Sequence, residues 1–266
     1  LILYPAFAHP VAWALGRVVI GFCFSGVYVT AESWLNNSAD NANRGKALSV
    51  YMIVQMFGIV SAQVLLAMGD VSGYALFIVS SVLVSISFAP ILLSISPTPA
   101  FETAKPMRLK TLIQISPLGC FGMFLLGGVF SAQFGMSAVY GVAAGLTIAQ
   151  ISLFVSSIYV GALLMQYPIG WFSDRVDRRL VILIVASLGG VMSLVAFSFD
   201  QYFSALLVAA FIIGGTSNPL YSLLIAYTND YLEADDMASA AGGLIFINGM
   251  GAIAGPLVTG KVMDTF

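Results

Sequence analysis

The chain has 266 residues, of which 59% are hydrophobic and only 8% charged, whereas a soluble domain carries about 25% charged residues. Ten Lys and Arg stand against twelve Asp and Glu, for a net charge of -2, which excludes the concentrated positive surface that nucleic-acid binding needs. Cys23 and Cys120 sit alone in apolar runs and His9 is the single histidine, so neither a disulfide framework nor a paired-ligand zinc site can be built, and no cofactor is expected.

Polar interruptions divide the apolar sequence into eight expected helices, at 11–35, 47–69, 74–96, 112–135, 147–171, 180–199, 203–229 and 240–260. Each is long enough to cross a hydrocarbon core of roughly 30 Å. The fold class expected is therefore an all-α polytopic membrane protein whose first partner is the lipid bilayer. Residues 1–10 read as the tail of an earlier hydrophobic segment. Leu1 is not an initiator Met, and the chain stops soon after an apolar run, so further helices are expected at both ends.

Basic residues set the orientation. Arg44 and Lys46 follow the first span, Lys105, Arg108 and Lys110 the third, and Arg175, Arg178 and Arg179 the fifth, while links 70–73, 136–146 and 200–202 hold no Lys or Arg. The positive-inside rule makes the basic loops cytoplasmic. Loop 230–239 runs against this pattern with Asp230, Glu233, Asp235 and Asp236, but acidic residues weigh little in orientation. The longest cytoplasmic link, Ser96 to Lys110, has three prolines and three basic residues. The expected division is thus 1–95 for one helical bundle, 96–111 for a linker and 112–266 for a second bundle.

Within the spans, Arg17 is the telling residue, since an intramembrane charge is costly and ordinarily faces a polar interior. It lines a solute cavity, orients a helix pair through backbone carbonyls, or snorkels to the outer interface along its stem. Glu32 lies about 22 Å further along the same helix, too far to pair with Arg17; tethering cytoplasmic loops is favoured over binding a coupling proton. Gln55, Gln63, Gln133, Gln166, Asn218 and Asn248 are uncharged polar groups in apolar surroundings, which line a cavity or link helices by hydrogen bonds. Asn218 precedes Pro219, a helix interruption of the sort found near transporter binding sites. In the last span Gly251 and Gly255 are four apart beside Pro256, a pattern for close packing with a kink.

Two motifs are rejected. Gly255 to Val262 fits GxxxxGK, but Val262 stands where Ser or Thr would bind magnesium and no strand is expected before it. Gly215-Thr216-Ser217 could suggest a serine hydrolase, yet His9, the single histidine, is remote in the chain.

The run Gly170 to Leu180, GWFSDRVDRRL, puts two acids and three arginines into one short loop. Asp174 is suited to accept hydrogen bonds from a neighbouring helix N-terminus while the arginines clamp carboxylates or lipid phosphates. With the span order, this loop resembles the major facilitator superfamily, whose signature G-x-x-x-D-R/K-x-G-R/K-R/K is matched by Gly170, Asp174, Arg175, Arg178 and Arg179. Asp177 replaces the usual Gly, which puts the tight turn in question more than the charge network. The signature occurs twice in that family; at its second copy, the eight spans resemble helices four to eleven of twelve. Arg17 and Gly21 then resemble the fourth-helix R-x-x-x-G pattern, and Asn43-Arg44-Gly45 the opening of the fifth helix. The stretch Ala31 to Gly58 is similar to the YcaD-like branch.

The resemblance implies a two-bundle secondary transporter in a bacterial inner membrane, moving a small solute of unknown identity by alternating access, with a proton as a possible coupling ion. Arg17, Gln55, Gln133, Asn218 and Asn248 become cavity or coupling candidates. Glu32, Arg44, Gly170, Asp174, Arg175, Arg178 and Arg179 become candidates for a cytoplasmic latch. The alternative is a non-transporting sensor or assembly partner with the same fold; an enzyme ranks lower because no reactive constellation is visible.

Overall fold

The computed structural model describes residues 3–7, 9–38, 44–70, 73–90 and 107–265. The chain forms two compact units, Leu1–Glu102 and Thr103–Phe266. Most of the expected linker, and the end of the expected third span, lie outside the described residues.

Unit 1 contains α1 (Leu3–Ala6), α2 (Pro10–Ser38), α3 (Arg44–Met68) and α4 (Ala75–Ser87). Tyr4 ties its first elements together. Its carbonyl accepts from Trp13 Nε1 at 3.0 Å, and its ring meets Trp13 edge-on at 5.5 Å and stacks with Phe77 of α4 at 6.4 Å. Gly16 leaves room for this ring, since a Cβ there would stand 3.2 Å from the Tyr4 hydroxyl.

Unit 2 begins with α5 (Leu109–Ile115) and α6 (Pro117–Ser131), continues through a π-helical turn (Ala132–Met136) into α7 (Ser137–Ala143), and then runs α8 (Ile148–Ser173), α9 (Arg178–Ser198), α10 (Phe203–Asn229) and α11 (Ala234–Thr265). The break between α5 and α6 falls on Ser116, at φ -134° and ψ 74°, because the residue before a proline is pushed out of the helical region. Pro117 then opens α6 at the position where its missing N–H is harmless. Ser116 is anchored by Thr228 of α10, the two buried hydroxyls lying 3.0 Å apart.

The expected span 112–135 and outer link 136–146 need correction. Helix continues to Ala143, so the link is only 144–147. Ser137 falls in the expected link, but its hydroxyl donates to Gln133 O, and Gln133, near the end of the expected span, finds a partner in α10. The chain leaves α7 through Gly145 at φ 71°, with Leu146 N–H donating back to Gly141 O at 2.9 Å. That left-handed exit favours glycine. Thr147 and Gln150 then form a reciprocal cap for α8.

Among the described residues, six helices are long and apolar enough to span a membrane, while Ile53–Met68 and Ala75–Ser87 are shorter apolar helices. Large side chains such as Phe22 and Phe197, 83% and 73% exposed, cover the outside, as suits a protein solvated by lipid. The core of unit 2 joins Leu112, Met123, Val181, Leu223 and Leu244 from five helices.

Two helix pairs cross at backbone contact. A Cβ added at Gly251 would lie 1.8 Å from Phe124 O, at Gly255 2.0 Å from Ser131 Oγ, and at Gly127 2.0 Å from Asn248 O. These fix α6 against α11. At the α8–α10 crossing a Cβ on Gly161 would lie 1.8 Å from Phe211 O, and one on Gly214 2.0 Å from Ile158 O. Close approach of this kind replaces the hydrophobic drive that lipid cannot supply between helices. Pro168, Pro219 and Pro256 all sit inside these helices.

Candidate functional site

The charged loop between α8 and α9 is built by two caps. Asp177, at φ -52° and ψ 119°, accepts the Arg179 backbone N–H at 2.8 Å and starts α9. Because that φ is open to any residue, the turn closes without the glycine of the signature. The capping acid at α9 is Asp177, not Asp174. Asp174 closes α8 and turns its carboxylate to Arg178 Nη2 at 3.7 Å.

Arg178 pairs more closely with Asp230, the residue that ends α10. Its Nη1 donates to that carboxylate and reaches Ala226 O at 3.5 Å, while its buried Nε has no partner among the described residues. Arg179 Nε donates to Tyr227 Oη at 3.0 Å and Nη2 to Tyr231 Oη at 2.6 Å; the two tyrosine rings meet edge-on at 5.2 Å. Tyr231, outside the spans, has its phenol held below the ordinary value of 10, first by its hydrogen bond with Tyr227 and then by the one from Arg179. Arg175 differs from its neighbours: it lies over the Trp171 ring at 3.9 Å and donates to Trp171 O at 2.8 Å. Around Arg178 and Arg179 is a hollow of about 580 Å³, lined also by Ser173, Asp174, Tyr227 and Asp230.

The acidic loop that ran against the positive-inside pattern thus supplies the carboxylate for Arg178. Asp230, Tyr227 and Tyr231 were missed as site residues. The signal available in the sequence was that an acidic loop and a basic loop of similar length lie on the same expected side. Gly170 is helical and a Cβ there would meet nothing within 4 Å.

The interior candidates separate. Gln133 is buried on the π-helical turn, with Nε2 3.1 Å from the Ser217 hydroxyl of α10. In the sequence Ser217 figures only as part of Gly215-Thr216-Ser217, rejected as a nucleophile; its pairing with Gln133 depends on how two distant helices meet. Asn248 of α11 donates to Met123 O at 3.0 Å and Asn218 to Gly214 O at 3.4 Å. Gln166 donates to Ser222 Oγ at 3.1 Å. In unit 1, Gln55 is half-buried on α3, and Arg17 is exposed on α2 with its guanidinium 5.9 Å from the Tyr4 ring centre. Glu32 and Arg44 belong to α2 and the start of α3, but their side chains lie outside what the structure describes.

Comparison with known proteins supplies the family. The model of the Major Facilitator Superfamily matches residues 118–266, more than half of the chain. The chain belongs to the Major Facilitator Superfamily. An uncharacterized MFS-type transporter of Yersinia pestis (strain Pestoides F) is 27% identical over 262 residues, covering 96% of this chain and 66% of the relative. Uncharacterized MFS-type transporters named YcaD from Salmonella arizonae and Escherichia fergusonii are 24% and 23% identical, with the same coverage. The chain thus spans just under two thirds of the length of these relatives. As a superfamily member with six spanning-length apolar helices among the described residues, it is an integral, multi-pass membrane protein.

Proposed function

We propose that this chain is the greater part of a secondary active transporter that moves a small solute by alternating access, coupled to an ion or a proton. The observation that carries this reading is the charge network at one end of unit 2. There Arg178 meets Asp230 and Asp174, and Arg179 meets Tyr227 and Tyr231, so the ends of α8, α9 and α10 are joined by contacts that can break and re-form. Low-barrier polar contacts outside the hydrocarbon suit a latch, because each open group is rehydrated instead of stranded. With the basic loops on the cytoplasmic side, the network latches the outward-facing state, and Glu32 and Arg44 belong to the same side. Within unit 2, Asn218, beside Pro219 in the unbroken α10, Gln133 and Asn248 are the residues assigned to a solute cavity; in unit 1, Gln55 has that role and Arg17 the coupling role.

The test uses the full-length protein in vesicles, with Cys23 and Cys120 replaced and Asn218→Cys as the reporter. A membrane-impermeant maleimide should label this cysteine from both sides. Adding Asp230→Asn should raise labelling from the cytoplasmic side severalfold and lower it from the other. Labelling from one side only, unchanged by Asp230→Asn, would overturn alternating access.

A further inference from the structure

Four aromatic rings from four elements of unit 2 stand in a row. Tyr221 of α10 lies 6.1 Å from Phe130 of α6, Phe130 stacks on Phe134 of the π-helical turn at 5.4 Å, and Phe134 stacks on Tyr159 of α8 at 5.3 Å with the planes only 10° apart. The row is not sealed into the core: Phe134 is 47% exposed, and Phe130, Tyr159 and Tyr221 are half-buried.

Two observations argue against a surface turned to lipid. Asn218, Tyr221 and Ser222 share one face of α10, at helical spacings of three and four, and Ser222 is bonded to the exposed Gln166 of α8. Exposed amide and hydroxyl groups well inside spanning helices face a water-filled cavity and not hydrocarbon. The π-helical turn also matters to the geometry. By widening the helix at 132–136 it turns Gln133 into α10, onto Ser217, while the adjacent Phe134 stacks towards α8; single turns of this kind recur at functional sites.

Charge narrows the class of ligand. Segments 117–173 and 203–229, which contribute all four rings, contain no Asp, Glu, Lys, Arg or His. Ring faces carry a partial negative charge, so they attract cations and repel anions. Nothing in these segments offers an anion a full positive partner.

We propose that this row binds the planar ring system of an uncharged or singly cationic aromatic solute, which packs against Phe134 and is oriented by Asn218 and the Gln166–Ser222 pair. The proposal rests on the transporter reading for its setting and names the solute class of that site. Phe134 is the specificity-determining contact, because it is the most exposed ring of the row.

The probe is ethidium, measured by equilibrium dialysis against the full-length protein in lipid nanodiscs, so binding is read without flux. Ethidium should bind saturably, be displaced by uncharged naphthylmethanol and resist displacement by anionic naphthoate. Phe134→Ala should weaken binding about tenfold, the size expected for loss of one stacked ring with a cation–π component. Phe134→Tyr should stay within about twofold, because it keeps the π face. Phe197→Ala, on the outer face of α9, should change nothing. If Phe134→Ala fails to fold, Tyr159→Leu makes the same test from the other end of the stack. Absence of saturable binding, equal displacement by naphthoate, or indifference to both substitutions overturns the proposal. Labelling of Asn218→Cys from both sides without ethidium binding would remove this solute class and leave the transporter reading; binding with labelling from one side only would do the reverse.

Discussion

At the α6–α11 and α8–α10 crossings of unit 2, helices are held together by missing side chains: Gly251 against Phe124 O, Gly161 against Phe211 O and Gly214 against Ile158 O leave no space for a methyl group. At the charged end of the same unit the ties are long side chains, Arg178 to Asp230 and Arg179 to Tyr227 and Tyr231. The difference follows from the surroundings. In hydrocarbon, association needs close van der Waals contact and an unsatisfied polar group is expensive. At the water-exposed end, an ion pair is cheap to break and its partners rehydrate. Rigid pairs joined to releasable ends fit the alternating access proposed above.

The comparison is broken most severely at the glycines. Gly161→Leu or Gly251→Leu must separate two backbones, costing upwards of about 3 kcal/mol, and full-length protein should show loss of a monodisperse folded species in detergent. Gly170→Ala, a glycine whose added methyl meets nothing within 4 Å, should keep its melting temperature within a degree or two.

A smaller effect separates the two acids that face Arg178. In double-mutant cycles on thermal stability, Arg178 with Asp230 should couple by about 1 kcal/mol, and with Asp174 by under about 0.5 kcal/mol, since Asp230 is in hydrogen-bond contact while Asp174 stands 3.7 Å away and is 68% exposed. Equal couplings would mean that the signature acid shares the network on equal terms with the α10 terminus.

The smallest effect is a titration. Tyr231 is held below 10, so its ionised form is favoured in the folded protein: that contribution to stability is fully present above pH 10 and is lost as pH falls through the folded value. The difference in phenolate absorbance between the protein and Tyr231→Phe should therefore develop below pH 10, and Tyr227→Phe should shift it upward by removing the larger cause.

Much of the architecture was legible because lipid imposes it: span 203–229 coincides with α10, and spans 147–171 and 180–199 fall within about two residues of α8 and α9. Span 112–135 failed for a definite reason. Ser137 interrupts the apolar run just past its expected end, and in the structure its hydroxyl donates back to Gln133 O, so the helix carries on to Ala143. In the charged loop the signature residues were readable, whereas Tyr227, Asp230 and Tyr231 belong to a helix end some 50 residues away, and sequence spacing carries no information about that approach.

By itself the sequence determined the membrane class, the helical fold and the superfamily, because apolar length, charge placement and the Gly170 to Arg179 spacing are local properties of the chain. Tertiary structure alone decided which glycines touch backbone, which acid meets Arg178, and that Tyr221, Phe130, Phe134 and Tyr159 form one row. Each of those depends on how helices distant in sequence cross, and the crossing is fixed by packing across the bundle.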